Sequence, residues 1–228
     1  RLTLTVLYAV LFLTHSLSTL LFTPLLVTYG IIAAWHIHNV SKGHRVRSLG
    51  LVGLSLVHAI GLGTFFLLPF LLEASNVQLQ RAGVFDYHNH FLTLAELVSP
   101  PVSYDPYYIT NAAPRSLPWP QLGLALVAFA STLISKRQGN RLISFSIRFH
   151  SILLALAIFL TSRLSVAVWD SLSIAYLIQF PWRLLSPATL LLAWLAAAGV
   201  ACLPIPKIRF SLALLAIRSM FVFSLTWT

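Results

Sequence analysis

The chain has 228 residues, of which 58% are hydrophobic and only 9% are charged, and its mean hydropathy is +0.85. Soluble domains carry roughly 25% charged residues, so this composition excludes an ordinary soluble protein. The net charge of +10 does not indicate nucleic-acid binding, because the basic residues lie in short loops without an aromatic-interleaved basic face. The single cysteine, Cys202, excludes a disulfide framework and a cysteine-rich metal site.

Seven apolar segments follow one another along the chain, and most are long enough to cross a bilayer as a helix. They cover residues 2–14, 18–35, 49–72, 119–135, 143–162, 186–203 and 210–228. Runs such as LLLAWLAAAGVACLP have no period of two, which argues against a transmembrane β-barrel. We therefore predict an all-α fold, a polytopic transmembrane helical bundle of about seven spans.

The distribution of charge between the segments predicts the orientation of the bundle. Loops 36–48, 136–142 and 204–209 contain lysine or arginine and no acid, so the positive-inside rule places them in the cytoplasm. The other loops, 73–118 and 163–185, then lie outside, and they hold all five acidic residues, which the rule does not use. The prediction is a multi-pass protein of the inner (plasma) membrane, with the lipid bilayer as its first partner.

The sequence predicts one transmembrane domain over residues 1–228, because no internal repeat or long linker divides it. Arg1 leads directly into an apolar run and the chain stops within FVFSLTWT, so we expect a segment of a longer protein.

Both outer loops have recognisable parts. In loop 73–118, FLTLAELV predicts a short amphipathic helix, and five prolines, followed by Pro120 just after the loop, keep much of the remainder irregular. Residues 163–183 predict an interfacial helix that ends at Pro181. Its expected anchors at the level of the lipid headgroups are Trp169, Tyr176 and Trp182.

Several ionisable residues lie at or inside apolar segments. His15, between the first two segments, is either a helix-end histidine bonded to a carbonyl or water, or a polar ligand for a phosphate or sugar. His58, Arg148 and His150 lie deeper, where an ionisable group needs a partner or access to water. Arg148 is close enough to the inner boundary to extend toward the cytoplasm, and Arg218 has the same two interpretations.

The densest polar group is DYHNH at residues 86–90. Its two histidines are at i and i+2, which lacks the i, i+4 spacing of a helical zinc site, so a polar turn is favoured over a metal site. Asp86, Glu96 and Asp105 form no recognisable pair, and the sequence contains no phosphate-binding glycine loop or nucleophile elbow. No histidine has a diagnostic spacing for haem or pigment.

Four blocks of the sequence carry a resemblance to a known family. LTHSLSTLLFTPLL, GLGTFFLLPFLLE, NHFLTLAELVSPP and WDSLSIAYLIQFPWRLLSP occur in this order between about residue 12 and residue 187. They resemble bacterial multi-spanning proteins called 6-pyruvoyl-tetrahydropterin synthase-related, which are similar to GT-C glycosyltransferases and to the YfhO-like group.

The resemblance implies a GT-C-like bundle whose outer face takes a sugar from a polyprenyl-phosphate donor. In that fold the usual catalytic acid lies in the first outer loop and pairs with a divalent metal in some members. By this resemblance we expect the chain to start after that loop, so its catalytic residues are unassigned and a divalent metal is expected only if the missing loop supplies the acid. The positions carried over as candidate substrate-binding residues are His15, Glu73, Trp182 and Arg183.

The FPWR sequence has two interpretations. Arg183 directs a charge-assisted hydrogen-bonding fork toward a lipid phosphate, with Trp182 fixing its depth, or both residues only anchor the chain at the headgroups. Two function classes follow: a membrane glycosyltransferase-like protein of cell-envelope assembly, or a non-catalytic scaffold or accessory subunit of a larger membrane complex, respiratory or photosynthetic. A transporter is less favoured, because no repeated halves with broken helices are visible.

Overall fold

The computed structural model describes residues 2–36, 42–73, 87–99, 115–134, 141–172, 178, 180–203 and 211–219. Within these residues the regular elements are helices, and the only bridge of β type is an isolated one between Leu92 and Ser162. The all-α prediction is confirmed for this part of the chain. The chain divides into two compact units, residues 1–85 and 86–228. A single domain over the whole chain stays a prediction.

The first unit contains α1 (Leu2–Thr14), α2 (Ser16–His36), α3 (Lys42–Leu62) and α4 (Thr64–Glu73). The second unit contains α5 (Leu94–Leu97), α6 (Trp119–Ile134), α7 (Arg141–Thr161), α8 (Val166–Ser171), α9 (Leu185–Cys202) and a helix at residues 211–219. Short 3₁₀ turns at Tyr87–His90, Arg163–Ser165 and Pro181–Leu184 connect elements of the second unit.

Two of the described helical stretches are long and apolar enough to cross a membrane, Ile143–Thr161 and Pro181–Cys202. The apolar stretches of the other helices are shorter, and they cover Leu2–Thr14, Ser16–Ile32, Val46–Leu62 and Trp119–Ile134. The 16 residues of α6 span only about 24 Å at 1.5 Å per residue, which is less than the roughly 30 Å of a bilayer core. These two stretches support membrane association, whereas seven spans remain a prediction.

The core of the first unit is small. Tyr8 and Ala9 of α1 pack with Ala59 of α3, and the Thr5 hydroxyl donates to the Ser55 carbonyl at 3.3 Å. These contacts hold α1 against α3.

The predicted third span, residues 49–72, differs from the structure because the helix is interrupted at Gly63. The Gly63 amide donates to both Ala59 and Ile60 carbonyls, at 3.2 and 2.9 Å, which tightens the backbone into a turn. The Phe12 ring lies so close that a Cβ atom at this position would collide with it. The turn separates α3 from α4, so neither helix runs through the whole predicted segment.

The second unit has the larger apolar core, in which α6, α7 and α9 pack together. Ala125 and Ala128 of α6 and Ala188 of α9 are buried in it, and such small side chains allow helix backbones to approach closely. On the outside, Leu126 of α6 and Ile152 of α7 are exposed. Helices that are apolar on both their inner and outer faces suit a lipid environment.

One end of the second unit gathers the connecting segments, and we call it the loop end. There the Leu92 amide donates to the Thr161 carbonyl at the end of α7 (3.0 Å), and the Arg163 amide donates to the Leu92 carbonyl (3.2 Å). The Leu117 amide donates to the Leu97 carbonyl (2.8 Å), which attaches the residues before α6 to α5. These bonds place residues 87–99 and 115–118 on the end of α7.

The predicted interfacial helix over residues 163–183 needs correction. The helix α8 ends at Ser171, because Leu172 is extended (φ −100°, ψ 107°). Pro181 occupies the first position of a 3₁₀ turn that follows the extended Phe180 and leads into α9. Its fixed φ and missing N–H suit the start of a helical turn.

Several predictions fall outside the described residues. These include most of the predicted cytoplasmic loops, at 37–41, 135–140 and 204–210, and the outer-loop residues 74–86 and 100–114. Asp86, Asp105 and Tyr176 also lie outside the described residues. The predicted helix in FLTLAELV is present as α5.

Candidate functional site

His15 and Glu73 both belong to the first unit. His15 lies between α1 and α2, and its Nδ1 atom accepts a hydrogen bond of 3.0 Å from the amide of Ser18, the third residue of α2. It therefore caps the start of α2. Its partners are the Ser18 amide and hydroxyl rather than the carbonyl or water expected for a helix-end histidine, and its role as a phosphate or sugar ligand stays a prediction. Glu73 is the exposed last residue of α4.

Trp182 and Arg183 belong to the second unit and lie at its loop end. Both residues are partly buried in the 3₁₀ turn before α9, and Trp182 packs against the apolar core. The preceding Phe180 is extended, with φ −129° and ψ 119°, which places its ring beside that of Trp182. Two of the four candidate residues thus belong to each unit, and within the second unit Trp182 and Arg183 are neighbours in one turn.

A run of stacked groups joins two arginines at the loop end. The Arg115 guanidinium lies 4.3 Å from the centroid of the Trp182 ring, and that ring stacks on Phe180 at 5.6 Å with an interplanar angle of 14°. The Arg183 guanidinium lies 4.8 Å from the Phe180 centroid. We call these four residues the arginine–aromatic stack. Each cation–π contact contributes about 0.5–1 kcal/mol at a partly exposed position.

The two arginines of the stack differ in their other contacts. Arg183 Nη1 donates to the Ile178 carbonyl at 3.0 Å, so one side of its fork is held by the backbone just before it. Arg115 is half-buried, and this burial lowers the pKa of its guanidinium, while the nearby Glu96 carboxylate acts in the opposite direction. An arginine guanidinium nevertheless stays charged in proteins at neutral pH.

The polar turn at Tyr87–His90 contacts the arginine–aromatic stack through His90. The His90 ring meets the Phe180 ring edge-on at 4.5 Å. The Tyr87 hydroxyl donates to Asp170 Oδ1 at 2.7 Å, and His88 Nε2 lies 3.0 Å from the same oxygen. The turn is therefore attached to both α8 and the FPWR sequence.

Neither acid described in the second unit is placed as an evident catalytic base. Glu96 Oε2 accepts hydrogen bonds from the Thr93 amide (2.6 Å) and hydroxyl (2.7 Å) in a capping box at the start of α5. These bonds lower the pKa of Glu96, with smaller contributions from Arg163 and Arg115. Asp170 is held by Tyr87 and His88, as described above. Among the described residues, no group of three or more His, Cys, Asp or Glu is arranged to hold a metal ion.

Trp169 is not the headgroup anchor that the sequence predicted. Its side chain is only 3% exposed, it meets Phe91 edge-on at 5.8 Å, and its Nε1 donates to the Leu160 carbonyl at 2.9 Å. Because its hydrogen bond and ring contacts are inside the protein, Trp169 acts as a core residue of the loop end.

The ionisable residues within the apolar helices have partners close by. His58 Nδ1 lies 2.6 Å from the Leu54 carbonyl, and His150 stacks on Trp194 at 4.1 Å. Arg148 donates to both the carbonyl and the hydroxyl of a residue in the last turn of α6, Thr132. These contacts provide the partners that such groups need away from water.

Sequence reasoning did not identify Arg115 as a site residue. It lies in PRSLPWP, directly before the apolar segment that begins at residue 119, so its signal was a cation at a predicted membrane boundary. Its partner Trp182 is distant in the sequence, and only the fold brings the two together.

Comparisons with known proteins give no further indication of family: no family model matches the chain, and neither a curated protein nor a solved structure matches it.

Proposed function

We propose that this chain is part of a GT-C-like, multi-spanning inner-membrane protein of about seven spans that binds a polyprenyl-phosphate sugar at the loop end of its second unit. The observation that supports this most is the arginine–aromatic stack, which mounts Arg115 and Arg183 on two rings at the end of apolar helices. A guanidinium recognises phosphate through parallel N–H donors, and aromatic rings are common at the level of the headgroups.

In this proposal the lipid tail lies along the apolar outer surface of the bundle, and its phosphate reaches the stack from the headgroup region. Trp182 and Arg183 contribute the contacts expected from the FPWR sequence, and Arg115 adds a second cation. Arg163 is also exposed nearby, and the two carboxylates described at this end, Glu96 and Asp170, already accept hydrogen bonds from neighbouring side chains. The arginines are therefore the groups that would meet an anionic ligand.

The second candidate function is a non-catalytic subunit of a larger membrane complex. One observation favours it: Glu96 and Asp170, the acids described in the second unit, are both held in structural hydrogen bonds. A transferase needs a group that takes a proton from the acceptor. In the glycosyltransferase proposal this group lies in the first outer loop of the full-length protein, with a divalent metal if that loop supplies an acid.

Binding of a polyprenyl-phosphate sugar to the purified full-length protein in nanodiscs tests the proposal. We expect Arg183→Ala to weaken binding by about tenfold or more, because a charge-assisted hydrogen bond contributes about 1.5–3 kcal/mol, and Arg183→Lys to retain part of the affinity. Arg47→Ala, which removes an exposed arginine of α3, is the matched control and should bind normally.

Equal affinity of wild type, Arg183→Ala and Arg183→Lys would leave only the anchoring role for this sequence. Turnover is measured separately, by transfer of a labelled sugar from the same donor to an acceptor. Transfer supports the enzyme, whereas binding without transfer by the full-length protein supports the second candidate.

A further inference from the structure

Two buried polar atoms next to Arg115 have no hydrogen-bond partner within the described part of the chain. One is the hydroxyl of Ser116, a residue only 4% exposed, and the other is Nε1 of Trp182. Buried polar groups in proteins are almost always paired, because leaving one unpaired has the full desolvation cost. The Ser116 hydroxyl and the Trp182 indole N–H, two donors without partners, therefore need an explanation.

Both atoms belong to residues that neighbour Arg115. Ser116 follows Arg115 directly in the chain, and the Trp182 ring is the one on which the Arg115 guanidinium stacks, at 4.3 Å. The third unpaired buried atom in the described residues is the Ser151 hydroxyl, which belongs to α7. Two of the three thus belong to residues adjacent to a half-buried cation, one in the sequence and one in space.

The backbone around these atoms is fixed by other contacts. Leu117, next to Ser116, is 1% exposed and its amide donates to the Leu97 carbonyl at 2.8 Å. Trp182 lies between Phe180 and the apolar core. The Glu96 carboxylate, which interacts electrostatically with Arg115, accepts its close hydrogen bonds from Thr93. The donors are therefore held in place and are not used by Glu96.

We infer that Arg115, the Ser116 hydroxyl and the Trp182 indole N–H form a subsite for the oxygen atoms of a phosphate group. A guanidinium, a hydroxyl and an indole N–H are all donors, and a phosphate provides several acceptor oxygens with negative charge. The inference deepens the proposed function and rests on it for the identity of the carrier, a polyprenyl lipid. The phosphate chemistry itself follows from the three donors.

The experiment uses the full-length protein in nanodiscs of phosphatidylcholine and two probes, a polyprenyl phosphate placed in the bilayer and inorganic phosphate in the buffer. Ser116→Ala and Trp182→Phe each remove one unpaired donor and keep most of the packing. We expect each to weaken binding of the polyprenyl phosphate by about five- to tenfold. Without ligand, neither variant should lower the melting temperature, because each removes an unsatisfied polar atom.

Two matched controls remove the same kinds of group, a serine hydroxyl and an indole N–H, from other residues of the second unit. Ser151→Ala removes the other unpaired buried hydroxyl, and Trp119→Phe removes an indole N–H that donates to the Val98 carbonyl at 2.7 Å. Both should bind phosphate as the wild type does, and Trp119→Phe should lower the melting temperature.

The outcomes separate this inference from the proposed function. Unchanged binding of both probes by Ser116→Ala and Trp182→Phe overturns the subsite, even if the wild type binds the lipid. Binding of inorganic phosphate that depends on Ser116 and Trp182, with no binding of the polyprenyl phosphate, supports the subsite and overturns the lipid ligand. If Ser116→Ala does not fold, Trp182→Phe alone decides between these results.

Discussion

Gly199 of α9 lies directly against the carbonyl group of Leu124 in α6. A Cβ atom at position 199 would collide with this carbonyl, and its distance from the Leu124 Cα atom would be only 3.2 Å. Both residues are buried in the second unit, where α6 and α9 pack on each other. Because the obstacle is backbone rather than a flexible side chain, neither helix can relieve the collision without moving.

We expect Gly199→Ala to destabilise the second unit by about 1–3 kcal/mol, because α6 and α9 must separate to admit the methyl group. Gly123→Ala is the matched control in the neighbouring helix, where nothing lies within 4 Å of an added Cβ atom. It should stabilise the protein by about 0.5–1 kcal/mol, since alanine has the higher helix propensity. Unfolding in mixed micelles measures both, and similar shifts for the two variants would show that this close approach does not matter.

The second prediction concerns Arg148 of α7 and the end of α6. Arg148 Nη2 donates to the Thr132 carbonyl at 2.8 Å, and Nε lies 3.3 Å from the Thr132 hydroxyl. The last carbonyls of a helix have no partner within the helix, so the guanidinium satisfies one of them and its charge is favourable there. Arg148→Ala should destabilise the protein by about 1–2 kcal/mol, and Arg148→Lys by less.

Equilibrium unfolding of these variants distinguishes this contact from simple extension of the side chain toward the cytoplasm. If Arg148 only extends toward the cytoplasm, Arg148→Ala would leave the free energy of unfolding unchanged. Thr132→Val serves as the companion variant: it removes the hydroxyl but keeps the carbonyl, and should cost less than Arg148→Ala.

Hydropathy predicted the helices of the second unit well. Segments 143–162 and 186–203 correspond to α7 and α9 within two residues at each end. Such runs are continuous in sequence, and their length and composition alone favour a helix. The division at Gly63 was not predictable in this way, because it depends on a contact with Phe12 in a different helix.

The candidate site was predictable only in part for the same reason. The sequence FPWR stands out because proline, tryptophan and arginine interrupt an apolar run, so Trp182 and Arg183 were found. Arg115 and Ser116 have no local pattern, and their relation to Trp182 exists only after the segments before α6 and α9 meet at the loop end. Trp169 was misassigned because an aromatic residue near a boundary suits both an anchor and a core.

The third prediction tests Trp169 as a core residue. Trp169→Phe removes the hydrogen bond of 2.9 Å to the Leu160 carbonyl, which keeps only the bond from the Ser165 hydroxyl at 3.0 Å. We expect a loss of about 0.5–1.5 kcal/mol in the free energy of unfolding. Trp182→Phe, in which no described hydrogen bond is lost, is the comparison and should leave the free energy of unfolding unchanged. Equal stability of Trp169→Phe and wild type, with altered partitioning into lipid, would restore the anchoring role.

The fourth prediction concerns the pH dependence of stability that arises from Glu96. Hydrogen bonds from Thr93, assisted by Arg163 and Arg115, lower the pKa of Glu96 from its ordinary value of 4.5. A carboxyl with a lowered pKa in the folded state stabilises that state above pH 4.5, and this contribution is lost as the pH falls through the lowered pKa. The group is largely exposed, so we expect less than about 1 kcal/mol.

Thermal unfolding of wild type and Glu96→Gln between pH 7 and about pH 3 measures this contribution. The difference in melting temperature should be greatest near neutral pH and should shrink in acid, because the glutamine does not titrate. Thr93→Ala should keep a reduced pH dependence, since the backbone amide of residue 93 still donates to the carboxylate. A difference between wild type and Glu96→Gln that grows as the pH falls would contradict the capping box as the origin of the shift.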